Sequence, residues 1–183
     1  MLKWFVIAAL FLFPGTALPE IVKTAIPSGQ GLQLYWWPKL AVVPGWHSDQ
    51  DASLHYAFNA VVPDGHTFSD AESVIYAKAN YKPRTPETKS VDDLVKQDIH
   101  FFKADDPTVT ITKQGDLTDR DGMHFMTYEF APQGKGNWET VSYGEEGDFF
   151  LIFTLSSQSE MGMQNSFPVF ENIIANYAKG PNN

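Results

Sequence analysis

His47, Asp49 and Asp51 stand at alternate positions after Trp46, in the segment Trp-His-Ser-Asp-Gln-Asp. Imidazole and carboxylate oxygens at that spacing can hold a divalent ion on an extended segment. A working metal site needs further ligands converging from elsewhere, and a solvated loop with Asp beside a turn accounts for the same residues. Asp119, Asp121 and Gly122 resemble the middle of a calcium loop. The first and last ligand positions of such a loop would fall on Leu117 and Tyr128, which cannot serve. That segment reads as a hairpin turn.

His124 shares a strand face with Met126, Tyr128 and Phe130, a setting that suits a hydrogen-bonded core or boundary histidine better than a general base. His55, beside Asn59 on another expected strand face, reads the same way. Glu145 and Glu146 have the composition of a glycosidase pair. Adjacent residues on a strand point apart, however, and that chemistry needs two converging carboxyl groups. The chain contains no Gly-x-Ser-x-Gly elbow, His-Glu-x-x-His, P-loop or Gly-x-Gly-x-x-Gly. With no cysteine either, thiol catalysis, disulfides and a lipid-bearing cysteine are excluded. These residues imply no metal and no organic cofactor, and a hydrolase assembled around His47 or His124 ranks last among the functions considered.

The residues best suited to binding are in Tyr35-Trp36-Trp37. Tyr and Trp combine large apolar area with a polar handle, and they recur at interface hot spots. Trp36 and Trp37 are the candidate partner- or ligand-binding pair. Alternation turns only one of them inward, so core or edge packing claims one and leaves the other for contact or for cover by Pro38 and Leu40.

The elements that must position these residues follow from patterning. Lys3, the apolar run Trp4–Phe13, Pro14 and the small residues Gly15-Thr16-Ala17 form the pattern of a secretory signal peptide over residues 1–17. The run is too short for a spanning helix, so stable membrane insertion after cleavage is not expected. Residues 18–31 read as an extended lead-in, with Pro19, Pro27 and Gly29-Gln30-Gly31 opposing regular structure. Residues 32–183 read as a single domain.

Within that domain, Asp148–Ser157 is apolar on both faces and predicts a strand covered on both sides. Short strands are expected at Leu32–Trp37, Leu54–Val62 and Ser73–Tyr81, with Lys82–Lys89 as an exposed connector. Ser90 caps a helix whose apolar face is Val91, Leu94, Val95, Ile99 and Phe102. A meander follows through Thr108–Gln114, Met123–Ala131 and Trp138–Tyr143, and Gly144–Gly147 turns the chain into the Phe-rich strand. Ser157–Asn165 reads as loop. A last helix is expected from about Ser166 to Ala178, because Pro168 fits only a first turn. The fold class is α+β: a mainly antiparallel sheet of about six to seven strands with a helix on each face.

Pro44-Gly45-Trp46 before paired strands, a helix opening at Ser90, a meander with Gly122 at its first hairpin, and a C-terminal helix after a Phe-rich strand together resemble the PsbP-like α/β/α sandwich family. The resemblance spans about residues 31–178. It implies a non-enzymatic docking or accessory factor, of secreted or lipoprotein kind. No family metal ligand or docking residue matches a position here, and without cysteine the lipoprotein tether is not carried over.

The formal net charge is −9, and removing Lys3 with the leader makes it more negative. Such a field opposes nucleic acid and anionic lipid and favours neutral or basic partners. The expectation is an exported protein, periplasmic or extracellular, that acts on a protein partner of unknown identity. Small-ligand or carbohydrate binding, through the same aromatics or a cleft by Lys82–Lys89, is the alternative.

Overall fold

The computed structural model describes residues 21–29, 31–41 and 43–177. The leader expected over 1–17 lies outside the described residues, as does Ala178, the expected end of the last helix.

The sheet is built around β10 (Phe149–Ser157), which pairs antiparallel along its whole length with β5 (Ser73–Tyr81) and β9 (Trp138–Glu146). Strand periodicity sends Leu151, Phe153 and Leu155 to one face and Phe150 and Ile152 to the other, and all five are buried. Each such side chain contributes roughly 1.5–3 kcal/mol over its exposed state. The main path runs β1 (Ile21–Ser28), β2 (Gly31–Pro38), β5, β10, β9, β8 (His124–Ala131) and β6 (Thr110–Lys113), with every pairing antiparallel. Three short strands lie off it. β4 (Asn59–Pro63) pairs with β5, β3 (Trp46–Ser48) with β4, and β7 (Leu117–Thr118) with β8.

The two faces have different covers. α2 (Val91–Asp105) starts where the Ser90 side chain accepts from Asp93 N at 3.1 Å. It sets Leu94 and Val95 against Val141, Tyr143, Phe150 and Ile152. α3 (Glu160–Ala175) starts where Ser159 accepts from Gly162 N at 3.0 Å. Its Phe170, Ile173 and Ile174 join Leu151, Phe153, Leu155 and Phe125 on the opposite face. The fold is therefore α+β, an antiparallel sheet with a helix on each face, as the patterning predicts.

Four local expectations are overturned. The lead-in is a hairpin: Ser28 pairs with Gly31, and the glycines that read as breakers form its turn, with Gly31 at φ +107. Pro27 is accommodated because β1 is an edge strand. The strand expected over Leu54–Val62 is a helix followed by a strand. In it α1 (Gln50–Tyr56) ends at Ala57, whose φ of +61 breaks the alternation before β4 begins.

The third correction concerns β9, which continues through Gly144 to Glu146, so the turn falls at Gly147-Asp148. The fourth is the start of α3, at Glu160 rather than near Ser166. Pro168 lies inside this helix, where it removes the N–H that would bond the Gln164 carbonyl. Such a proline costs about 3 kcal/mol, which burial of Met163 on one side and Phe170, Ile173 and Ile174 on the other offsets. The connector Lys82–Lys89 is partly built in: Lys82–Arg84 is a 3-10 turn and Thr88 is buried.

Candidate functional site

α2 covers only the β8–β9–β10 part of its face. Beyond its edge the sheet presents Tyr76 and Lys78 of β5, Thr154 and Ser156 of β10, and Glu139 of β9. The register aligns Tyr76 with Thr154, and Ser156 with Glu139. On the far side α1 and residues 64–72 bring Phe58 and Phe68 over the sheet, leaving a cleft of about 550 Å³. That volume lies within the range of small-molecule sites.

One wall is aromatic. Phe58 stacks on Tyr76 at 4.5 Å and 24°, and on Tyr56 at 5.5 Å and 13°. Phe68 lies across Phe58 at 5.3 Å and Tyr56 at 5.2 Å. Asp49 holds this wall in place. Its Oδ1 accepts from Ala52 N at 2.9 Å to cap α1, and its Oδ2 accepts from Phe68 N at 2.9 Å. Those two backbone N–H groups hold the Asp49 carboxyl below its usual range.

The opposite wall is polar. Asn137 Nδ2 donates to Ser156 Oγ at 3.0 Å, and Ser156 Oγ donates to Glu139 Oε1 at 3.1 Å. Burial pushes the Glu139 carboxyl up to about 7; the Ser156 bond opposes this, the Asp98 charge adds to it, and Lys78 opposes it. Asp98 is carried on α2 and is itself raised by burial, against the pull of Lys78 and the Tyr143 hydroxyl. That hydroxyl is buried with no hydrogen-bond partner in ordinary geometry among the described residues, and Asp98 interacts with it. Burial, reinforced by Glu139, also lifts the Tyr76 phenol above its usual range. Rings supply contact area, and Asn137 and Glu139 supply orientation. The arrangement is chemically suited to holding a ligand.

The residues singled out in the sequence are dispersed. His47 Nδ1 is 3.3 Å from Asp64 Oδ1, Asp49 caps α1, and Asp51 lies in the first turn of that helix. Among the described residues no three His, Asp or Glu side chains form a metal-holding group. Asp119 Oδ1 accepts from Asp121 N at 2.9 Å and Met123 N at 2.8 Å, so this segment is the turn that its residues predict. His124 is exposed, 3.3 Å from Thr118 Oγ1. His55 sits on α1, edge-on to Tyr56, while Asn59 Nδ2 donates to Pro38 O at 2.8 Å; the two do not share a strand face. Glu145 and Glu146 point apart: Glu145 pairs with Lys82 at 2.6 Å, and Glu146 is buried.

Trp36 and Trp37 are both half-buried, on opposite faces of β2. Trp36 packs on Tyr81 at 5.0 Å and Phe149 at 5.9 Å, with the Arg84 guanidinium 4.6 Å from its ring and Lys23 Nζ at 5.9 Å. The Trp37 indole N–H is buried and has no hydrogen-bond partner among the described residues. A hollow of about 360 Å³ does lie beside the connector, lined by Tyr35, Trp36, Tyr81, Arg84 and Thr85 among others.

Sequence reasoning missed Glu139, Asp98 and the Phe58–Phe68–Tyr76 wall. One signal was available. Asp98 stands four residues after Leu94, in the apolar stripe of α2, where a carboxyl is out of pattern.

No family model matches the chain. No curated protein matches it either. Among solved structures the chain is similar to the solution structure of cyanobacterial PsbP (CyanoP) from Synechocystis sp. PCC 6803. Identity is 12% and the TM-score 0.39, over 90% of this chain and 95% of that one. The chemistry of the cleft rests on this chain's own residues.

Proposed function

We propose that this chain is an exported, non-enzymatic binding or accessory protein that docks a protein partner through the β1–β2 hairpin at Trp36 and Trp37. The observation that carries this reading is how the hairpin is attached. Its two strands pair with each other over eight positions, yet β2 pairs with β5 only at Trp36↔Ala79. The hairpin is thus added at the rim of the sheet, with β1 as the edge strand among the described residues and Leu32 at its turn 71% exposed. Trp36 and Trp37 lie at its root, where a partner seated on the hairpin would reach them. The acidic balance of the chain favours a neutral or basic partner.

Affinity capture from the native exported fraction tests this, with wild type beside a Trp36→Ala/Trp37→Ala variant checked for folding by circular dichroism. A partner held by the wild type and lost from the folded variant is the expected result. Equal capture by both removes the tryptophans from the interface. Export is tested by the N-terminal sequence of the mature protein, expected to begin at Leu18.

A second reading, small-ligand binding, is favoured by the cleft between Tyr76 and Glu139, which has an aromatic wall, a hydrogen-bonded polar wall and adequate volume. Calorimetric titration with a panel of sugars and small organic ions separates it from the first, because the hairpin variant leaves that cleft intact.

A further inference from the structure

The hydrogen-bonded Glu139 carboxyl, the ring faces and the absence of cations among the lining residues select one class of ligand for this cleft. Among the described residues its charged lining is Glu72 and Glu139, with no Lys or Arg. Lys78, the cation that acts on Glu139, lines the separate hollow beside β2. Glu72 is occupied at the N-terminus of α3, where its Oε1 accepts from Ser159 Oγ at 2.6 Å. Glu139 accepts from Ser156 Oγ and lines the cleft together with Phe58, Phe68 and Tyr76.

We propose that this cleft binds a small organic cation, an alkylammonium group seated against Phe58, Phe68 and Tyr76 with Glu139 as its counter-ion. The proposal rests on the ligand-binding reading and is independent of the hairpin. Aromatic faces carry the negative end of the ring quadrupole and attract a desolvated cation, while the carboxylate neutralises it. An anion would meet the Glu72 and Glu139 carboxyls beside the aromatic wall, with no lining Lys or Arg among the described residues to offset them. A neutral ligand could use the rings but would leave Glu139 to the Ser156 bond and to Lys78, and so would gain nothing from the carboxylate charge. A bare metal ion lacks its ligands, since no three ligating side chains converge among the described residues.

Proton linkage follows from the same geometry. Glu139 is faced by Asp98 from α2, by Lys78 and Tyr76 from β5, and by Ser156 from β10, and burial raises its carboxyl to about 7. A cation bound there favours the ionised form, so binding near neutrality releases a proton and tightens as pH rises through 7.

The test is calorimetric titration of the full chain lacking its leader with choline and with its neutral isostere 3,3-dimethyl-1-butanol. Butylammonium and methylguanidinium serve as further cations and methyl glucoside as a neutral control. Choline is expected to bind at least about tenfold tighter than the isostere. Glu139→Gln, which keeps the side-chain size and an acceptor for Ser156, is expected to cost about tenfold or more and to abolish the pH dependence. Phe68→Leu is expected to weaken choline more than the isostere.

Equal affinity for choline and isostere, or unchanged binding in Glu139→Gln, overturns the proposal. Binding of methyl glucoside or the isostere without any of the three cations overturns the cation class and leaves ligand binding standing. No binding by any probe overturns both. If a variant unfolds, the comparison of choline with its isostere on the wild type decides alone.

Discussion

The Tyr177 hydroxyl donates to a Glu146 carboxylate oxygen at 2.6 Å, and both side chains are buried. The bond joins the chain just past α3 to the last residue of β9, so the helix is held to the sheet by more than its apolar face. Tyr177→Phe keeps the ring packing against Phe125 and Phe153 and removes only the donor. The expected loss is about 1–3 kcal/mol of unfolding free energy, read by urea denaturation with an unchanged slope.

Gly144 faces the ring of Phe125. A Cβ built on Gly144 would stand 2.5 Å from Phe125 Cε1, and Phe125 is fully buried, so its ring has little room to retreat. Gly144→Ala is therefore expected to destabilise by about 1–3 kcal/mol. Combining it with Phe125→Leu should cost less than the sum of the two single changes, which a double-mutant cycle measures.

Arg84 ties the hairpin to the domain. Its Nη1 donates to Leu34 O at 2.8 Å while its guanidinium covers the Trp36 ring at 4.6 Å. Because β2 has a single register pair with β5, this tie adds to the packing of Trp36 on Tyr81 and Phe149 in holding the hairpin. Arg84→Gln is expected to speed amide hydrogen exchange across β1 and β2 by about tenfold, leaving β9 and β10 unchanged.

The Glu139 carboxyl has a folded value of about 7 against an ordinary 4.5. Between those values the folded state binds more protons than the unfolded chain, so stability falls as pH rises through the window. Asp98, also raised by burial, acts in the same direction. Asp49, held low by backbone N–H groups, acts oppositely: its contribution is present above 3.8 and lost as pH falls below it. Glu139→Gln should flatten the decline between pH 4.5 and 7 and stabilise the protein above 7, read as Tm across pH.

The fold was legible where burial is periodic. β10 follows from its long apolar run, β5 from Val74, Ile75 and Tyr76, and α2 from its Ser90 cap and apolar stripe. It was illegible where one residue type serves two geometries. The glycines around Gln30 suit an irregular lead-in as well as a hairpin turn, and only the pairing of β1 with β2 decides between them. Gly144 suits a turn by propensity, but it lies within β9, where Phe125 occupies the space that a side chain would take. Leu54, Tyr56 and Phe58 alternate as a strand would, although a capped helix ends between the second and third.

The cleft was hidden for a related reason. Glu139 and Tyr76 are far apart in sequence and meet only because β9 and β5 flank β10. Asp49 was conspicuous as a possible ligand for a metal, yet its oxygens are engaged by the N–H groups of Ala52 and Phe68.

The central claim, that the β1–β2 hairpin meets a partner, is tested most directly by photo-crosslinking in native cells. A photoreactive residue replaces Leu32 at the hairpin turn in one protein and Phe101 on α2 in another; these side chains are 71% and 66% exposed. The account predicts a discrete adduct from position 32, diminished by Trp36→Ala/Trp37→Ala, and none from position 101. An adduct from position 101 with none from position 32 would contradict it.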